Sequence, residues 1–267
     1  MTRRGASPSD RSRWVFNRLA EDYRLRPGYP PALAARLLAL AGGPGARVAD
    51  LGAGTGQLAV PLARLGARVH AVEPAEEMLG VLREEARGLD VAPVHAAAEE
   101  TGLPARAFDL VLVADAIQWI DPERGGREIA RLLAPGGALA LVLPRLADTP
   151  FLRALEALVA RENPKARRAA PPVDLLLSLA GVRPEPEERL RDEILLEPER
   201  LDAVLRSLSF VGPALGPVRL AALQKDARAL AGAHGGAIWS REIVLRWGRS
   251  ATRCPRAPGA RRRTRSR

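Results

Sequence analysis

Arg47-Val48-Ala49-Asp50-Leu51-Gly52-Ala53-Gly54-Thr55-Gly56, running on into Gln57–Leu65, is the stretch that decides the fold. Val48 to Leu51 reads as a buried strand ending in an acid. Three glycines at alternate positions then turn the chain into a helix. Glycine permits positive φ and lets a ligand approach the backbone closely. The helix that follows offers free N–H groups and the positive end of its dipole. A strand, a glycine turn and a helix at the carboxyl end of a parallel sheet make a nucleotide-type pocket.

Outward from that stretch, residues 46–143 alternate short β-type runs with helical runs, which argues for βαβ units and a parallel sheet. Strands are expected at Arg47–Leu51, Arg68–Glu73, Val91–His95, Phe108–Ala114 and Ala138–Leu143. Helices are expected at Gln57–Leu65, Ala75–Arg87 and Arg124–Leu133, the second with Met78, Leu79 and Leu82 on one face. Pro135-Gly136-Gly137 reads as the stop of the third helix. Residues 144–190 break the rhythm with one amphipathic helix (Phe151, Leu152, Leu155, Leu158, Val159) and a Pro/Arg-rich stretch through Pro186. They read as a cap-like insertion over the sheet's carboxyl edge, where ligands bind. Ile194–Glu197 then reads as strand, Pro198–Leu208 as helix and Ala237–Trp247 as the last strand, with the fold complete after Gly248.

The 267 residues suffice for a full core, and 47% hydrophobic content fits a globular chain. No run of about 18 apolar residues suggests a membrane span, and the N-terminus has no apolar stretch behind its arginines. The single cysteine, Cys254, excludes an internal disulfide framework and suggests a cytoplasmic protein. His70, His95 and His234 lack metal-ligand spacing, so no metal site is expected. Net charge of +10 invites a nucleic-acid reading, but the charge is concentrated at the ends. Residues 249–267 hold eight arginines and no acid, and residues 1–13 hold four arginines and one aspartate, leaving −1 for residues 14–248. The expectation is two basic disordered tails, 1–13 and 249–267, around one domain at 14–248. Specific nucleic-acid binding is not expected of a near-neutral domain.

Which nucleotide the turn serves is the harder question. Gly54-Thr55-Gly56-Gln57-Leu58-Ala59 also satisfies the dinucleotide pattern, and Glu73 lies where a ribose-binding acid of a NAD site would stand. Asp50 argues the other way. A carboxylate at the strand tip repels a pyrophosphate and favours a cationic or amine-bearing ligand.

The blocks VADLGAGTG, HAVEPAEEML, AAAEETGLPARAFDLVLVADAIQWID and LLAPGGALALVLP together resemble the class I S-adenosylmethionine-dependent methyltransferases. The lead-in Ala20–Pro30, with Tyr23 and then Arg26-Pro27-Gly28-Tyr29-Pro30, is similar to a small-molecule subgroup near the trans-aconitate type. The resemblance covers residues 14–145 closely and 190–248 loosely. It implies a doubly wound, Rossmann-like α/β fold whose seven-stranded, mostly parallel sheet has an antiparallel last strand. It further implies S-adenosylmethionine as cofactor and a small molecule as substrate. On the cofactor side it places Asp50, Gly52, Ala53, Gly54, Thr55, Gly56, Glu73, Pro74, Met78, Ala98, Glu99, Ala114 and Asp115. Glu73 would accept from the ribose hydroxyls, Asp50 would serve the amino-acid end, and Ala98 and Glu99 would read the adenine edge.

For the acceptor, the same resemblance points to Tyr23, Gln118 and Trp119. Methyl transfer from a sulfonium is an in-line displacement on an activated electrophile, so alignment and exclusion of water are the protein's main tasks. The subgroup usually has histidine where this chain has Gln118, and glutamine cannot take a proton. An acceptor that ionises by itself, such as a carboxylate, thiolate or acidic phenol, needs no base there. Two other readings stay open: a NAD-type oxidoreductase, and a non-catalytic protein that binds the same cofactor.

Overall fold

The computed structural model describes residues 16–164 and 170–251. Eight strands form one sheet: β1 (Arg47–Leu51), β2 (Arg68–Val72), β3 (Val91–Val94), β4 (Phe108–Ala114), β5 (Leu133–Leu146), β6 (Val182–Pro184), β7 (Glu188–Leu196) and β8 (Ala237–Ser250). Their order is β3-β2-β1-β4-β5-β8, with β6 and β7 following one another along the far edge of β8. The first five are mutually parallel, and β8 is antiparallel to all its neighbours. Eight strands therefore occupy seven places, in the arrangement that the resemblance implies.

The central strands are almost continuously apolar, and strand geometry sorts them by parity. Leu110 and Leu112 of β4 face one layer, and Val111 and Val113 face the other. Likewise Ala138, Ala140 and Val142 of β5 point one way, and Leu139 and Leu141 the opposite way. The first layer is closed by α2 (Pro31–Ala41) and α3 (Ala59–Arg64), with Leu82 of α4 (Glu76–Glu85). The second is closed by α5 (Pro122–Leu132) and α7 (Val173–Leu179). A β-carbon at Gly126 of α5 would stand 2.5 Å from the Leu179 β-carbon, so the glycine sets how closely these two helices pack.

A third core lies apart from both faces. Phe151, Leu152, Leu155 and Val159 of α6 (Pro150–Glu162) pack with Leu201, Val204 and Leu205 of α8 (Pro198–Ser207). Leu223, Ala227 and Ala231 of α9 (Pro217–Ala233) and Trp239 of β8 complete it. The short α1 (Ala20–Arg24) and the residues before it lie on α4, through Leu19, Ala20, Ala75, Met78 and Val81.

The helix expected within 144–190 is α6. The stretch expected to be irregular also holds α7 and β6, since Val173-Asp174-Leu175-Leu176-Leu177 buries Leu176 and Leu177 against α5. Pro135 does not stop the third helix. That helix ends at Leu132, Leu133 pairs with Phe108, and residues 134–137 bulge before pairing resumes at Ala138. The last strand runs past Gly248 to Ser250, with Arg249 in register with Ala138 and donating to the carbonyls of Gly136 and Leu40. The rest of the two expected basic tails, and Cys254, lie outside the described residues. Among the described residues, no helix is long and apolar enough to cross a membrane.

Candidate functional site

At the carboxyl end of β1 the chain must reverse from strand to helix within a few residues. Gly52, Gly54 and Gly56 have φ of 76°, 56° and 87°. The N–H groups of Gly52 and Ala53 donate to the Val72 carbonyl at 2.8 and 3.0 Å, stitching the turn to the end of β2. Glu73 completes the join: its Oε2 accepts from Gly54 N–H and its Oε1 from Ala75 N–H, both at 2.9 Å. The glycines serve different ends. A β-carbon at Gly52 would lie 2.7 Å from that of Ala116, whereas nothing stands near Gly54. At Gly56 it would meet Leu82 and Val60 at 3.2 Å, so this glycine admits the neighbouring helix.

A cavity of about 120 Å³ opens above this turn. Of the expected residues it is lined by Asp50, Gly52, Ala53, Gly54, Thr55, Glu73, Pro74, Met78, Ala98, Glu99, Ala114 and Asp115, together with Tyr23 and Trp119. Two expectations need correction. Gly56 does not line it, because its open face is spent on Leu82 and Val60. Gln118 does not line it either: the side chain is exposed and its amide donates to the Asp115 carbonyl at 2.8 Å, folding back on the start of the one-turn 3-10 helix Ile117–Trp119. His70 and His95 line neither this cavity nor the one beside it.

The walls have a distinct electrostatic character. Asp50 is 2% exposed, and its Oδ1 is buried with no hydrogen-bond partner. Burial, with the nearby Glu73 adding to it, pushes the Asp50 carboxyl up to about 7. Burial likewise raises Glu73, against the two backbone N–H groups that favour its ionised form. Four acids, Asp50, Glu73, Glu99 and Asp115, thus line one small cavity whose one lysine or arginine, among the described residues, is Arg26. That is a poor seat for a pyrophosphate and a good one for an ammonium and a diol.

The loop after β3 is held in place from below. Glu128 of α5 accepts from Thr101 N–H and Oγ1 and pairs with Arg131, which together with the Thr101 bonds holds its carboxyl down to about 2. Glu99, two residues before Thr101, accepts from Asp121 N–H at 2.9 Å. An aromatic group closes the top: Phe16 meets Tyr23 and Trp119 edge-to-face at 5.7 and 5.3 Å, and the Arg26 guanidinium lies 4.4 Å from the Tyr23 ring centre.

A second cavity, of about 540 Å³, continues from the first beneath the third core. Arg26, Tyr29, Gln57 and Asp115 line both and form the junction between them. Tyr29 is positioned by Arg241 of β8, whose guanidinium pairs with Asp192 of β7 and donates to the carbonyls of Pro27 and Gly28. Sequence reasoning missed Phe16, Arg26, Tyr29, Gln57 and the whole second cavity. The block Arg26-Pro27-Gly28-Tyr29-Pro30 was the available signal, whereas the walls from α6, α8 and β8 are ordinary amphipathic positions.

Comparison with known proteins agrees with this geometry. Residues 49–141 match the family model described as a methyltransferase domain. Over those residues the chain is a methyltransferase domain. An uncharacterized methyltransferase of Mycobacterium bovis is 47% identical to it over 119 residues, 45% of this chain and 47% of the relative. A demethylmenaquinone methyltransferase of Clavibacter sepedonicus is 35% identical over 111 residues, 41% of this chain and 45% of that protein. The aligned stretches span about half the length of these curated relatives. Among solved structures, a protein described as a candidate type II methyltransferase from Anaeromyxobacter dehalogenans superposes with TM-score 0.57 and 26% identity, covering 85% of this chain and 99% of its own. The matched residues thus supply most of the parallel part of the sheet, the glycine turn and most of the lining of the smaller cavity. The larger cavity is built mostly by residues beyond 141.

Proposed function

We propose that this chain transfers a methyl group from S-adenosylmethionine to a small-molecule acceptor held in the larger cavity, with residues 14–248 as the catalytic unit. The observation that carries the reading is the pair of buried acids. Asp50 offers an oxygen with no partner in the protein, and Glu73 closes the glycine turn at the tip of β2. Glu73 would hold the two ribose hydroxyls and Asp50 the cationic amino-acid end. Met78 would cover one face of the base, with Ala98 and Glu99 along its edge. The bound cofactor supplies an already activated electrophilic methyl.

The protein's share is alignment and the exclusion of water. Asp115 and Ala114 at the tip of β4 would separate donor from acceptor, while Tyr23 and Trp119 wall the aromatic side. Gln118 is turned to the surface, so no base acts from that position. An acceptor that ionises without help suits such a site. Relatives named as demethylmenaquinone methyltransferase and as ubiquinone biosynthesis O-methyltransferase support a small-molecule substrate.

The test is a calorimetric titration with S-adenosylhomocysteine and, separately, NADH. Binding of the first with refusal of the second is expected, and the opposite order would overturn the reading. Methyl-labelled cofactor incubated with cell extract and the protein should then label a low-molecular-weight fraction. Tight cofactor binding with no labelling in any extract would favour the non-catalytic alternative.

A further inference from the structure

The larger cavity carries more information about the acceptor than the smaller one. Its walls are Leu155 and Val159 of α6, Val204 and Leu205 of α8, Leu208 and Phe210 just beyond, and Trp239 of β8. Its charged groups sort into three sets. Arg241 is already matched by Asp192. Arg145 and Glu156, both exposed, have opposite signs and leave their part of the wall near neutral. The third set is the junction, where Arg26 and Asp115 face the space between the cavities with Gln57 and Tyr29.

Arg26 is half-buried and, among the described residues, no carboxylate pairs with it; its guanidinium rests on the Tyr23 ring. That positive charge stands at the junction, partly removed from water, where an unmatched charge is costly. A single negative charge on the acceptor balances it, whereas an amine cation would add to the excess. We infer that the acceptor is an amphiphilic monoanion, with one ionised oxygen set against Arg26 and Tyr29 at the junction and an apolar body in the cavity beneath α6 and α8. In the transfer, a lone pair of that oxygen forms the new bond to the methyl carbon as the donor's C–S bond breaks. The electron pair stays on the departing neutral thioether. The acceptor is ionised beforehand, so no proton has to leave.

The inference rests on the cofactor reading, and its test separates the two. With S-adenosylhomocysteine saturating, decanoate, decan-1-ol and decylamine are titrated calorimetrically. Decanoate should bind at least tenfold more tightly than decanol, and decylamine should not bind. Arg26→Gln should erase the advantage of the acid over the alcohol. Ala160→Trp, a residue of α6 that lines the cavity and is not buried in the third core, should weaken decanoate at least tenfold and leave S-adenosylhomocysteine binding unchanged. Equal binding of acid and alcohol, refusal of all three probes, or decanoate binding indifferent to Ala160→Trp would overturn the inference while leaving the cofactor reading intact. Failure of S-adenosylhomocysteine to bind at all would instead remove the reading beneath it.

Discussion

Glu73 commits one oxygen to Gly54 N–H and the other to Ala75 N–H, so it is both a clamp on the glycine turn and a wall of the smaller cavity. The Gln variant keeps the shape, loses the charge and leaves one backbone donor facing an NH₂ group. Glu73→Gln should weaken S-adenosylhomocysteine at least tenfold, an order-of-magnitude expectation for a charge-assisted bond lost from a closed site. Calorimetry checks it, and unchanged affinity would move the ribose site elsewhere. Asp50 makes a prediction in pH. In the folded chain its carboxyl keeps a proton up to about 7, whereas in the unfolded chain it releases it near ~3.9. Between those values the folded state binds more protons, so this group's effect on stability declines as pH rises from about 4 to about 7 and is flat above. Asp50→Asn should therefore melt close to the parent at pH 4 and above it at pH 8, while binding cofactor poorly. A variant that melts lower than the parent at pH 8 would show that Asp50 is held ionised by something else. Both residues were legible in the sequence because each ends a strand beside the glycine turn. Arg26 and Tyr29 were not singled out, since their role depends on where Arg241, more than two hundred residues away, holds the loop they sit on.

Elements, rather than single side chains, explain why three glycines in a row of alternate positions do three jobs. Gly56 faces α4, and an alanine there would meet both positive φ and the Leu82 side chain. Gly56→Ala should cost about 2 kcal/mol of stability, as expected for a non-glycine residue forced into the left-handed region with some crowding. Urea unfolding measures it. Cofactor affinity of the folded fraction should change far less than for Glu73→Gln, because Gly56 does not line the cavity. Parallel losses in both would return Gly56 to the binding surface. Strands and helices of residues 46–143 were readable from period and turn residues. The helix α7 was not, because its apolar run is short and lies among prolines, and it is stabilised by α5 rather than by its own propensity.

Across the whole molecule, two covers meet over one sheet edge: the methyltransferase domain below and the third core of α6, α8 and α9 above. The Arg241–Asp192 pair links β8 to β7, both side chains about one-tenth exposed, and its guanidinium also anchors the loop that carries Tyr29. Removing one partner of such a pair strands the other charge, so Arg241→Ala should destabilise by about 3–5 kcal/mol. Arg241→Met, which keeps the volume and strands only Asp192, tests the positional role. Its folded form should bind S-adenosylhomocysteine normally and decanoate weakly. Unaltered decanoate affinity would release Tyr29 and Arg26 from dependence on β8.

The sequence by itself determined the parallel sheet, the glycine turn and the acids that face the smaller cavity. Those features are local: a strand end, a turn and a helix start lie within a few residues of one another, and steric rules govern them directly. Only the tertiary structure decided the larger cavity. Gln118 turned outward to bond the Asp115 carbonyl, Gly56 went to packing, and a cavity of about 540 Å³ arose between residues far apart in the chain. An amphipathic helix announces that one face is buried, not what the burial leaves hollow. That depends on how α6, α8 and β8 meet, and no periodicity records it.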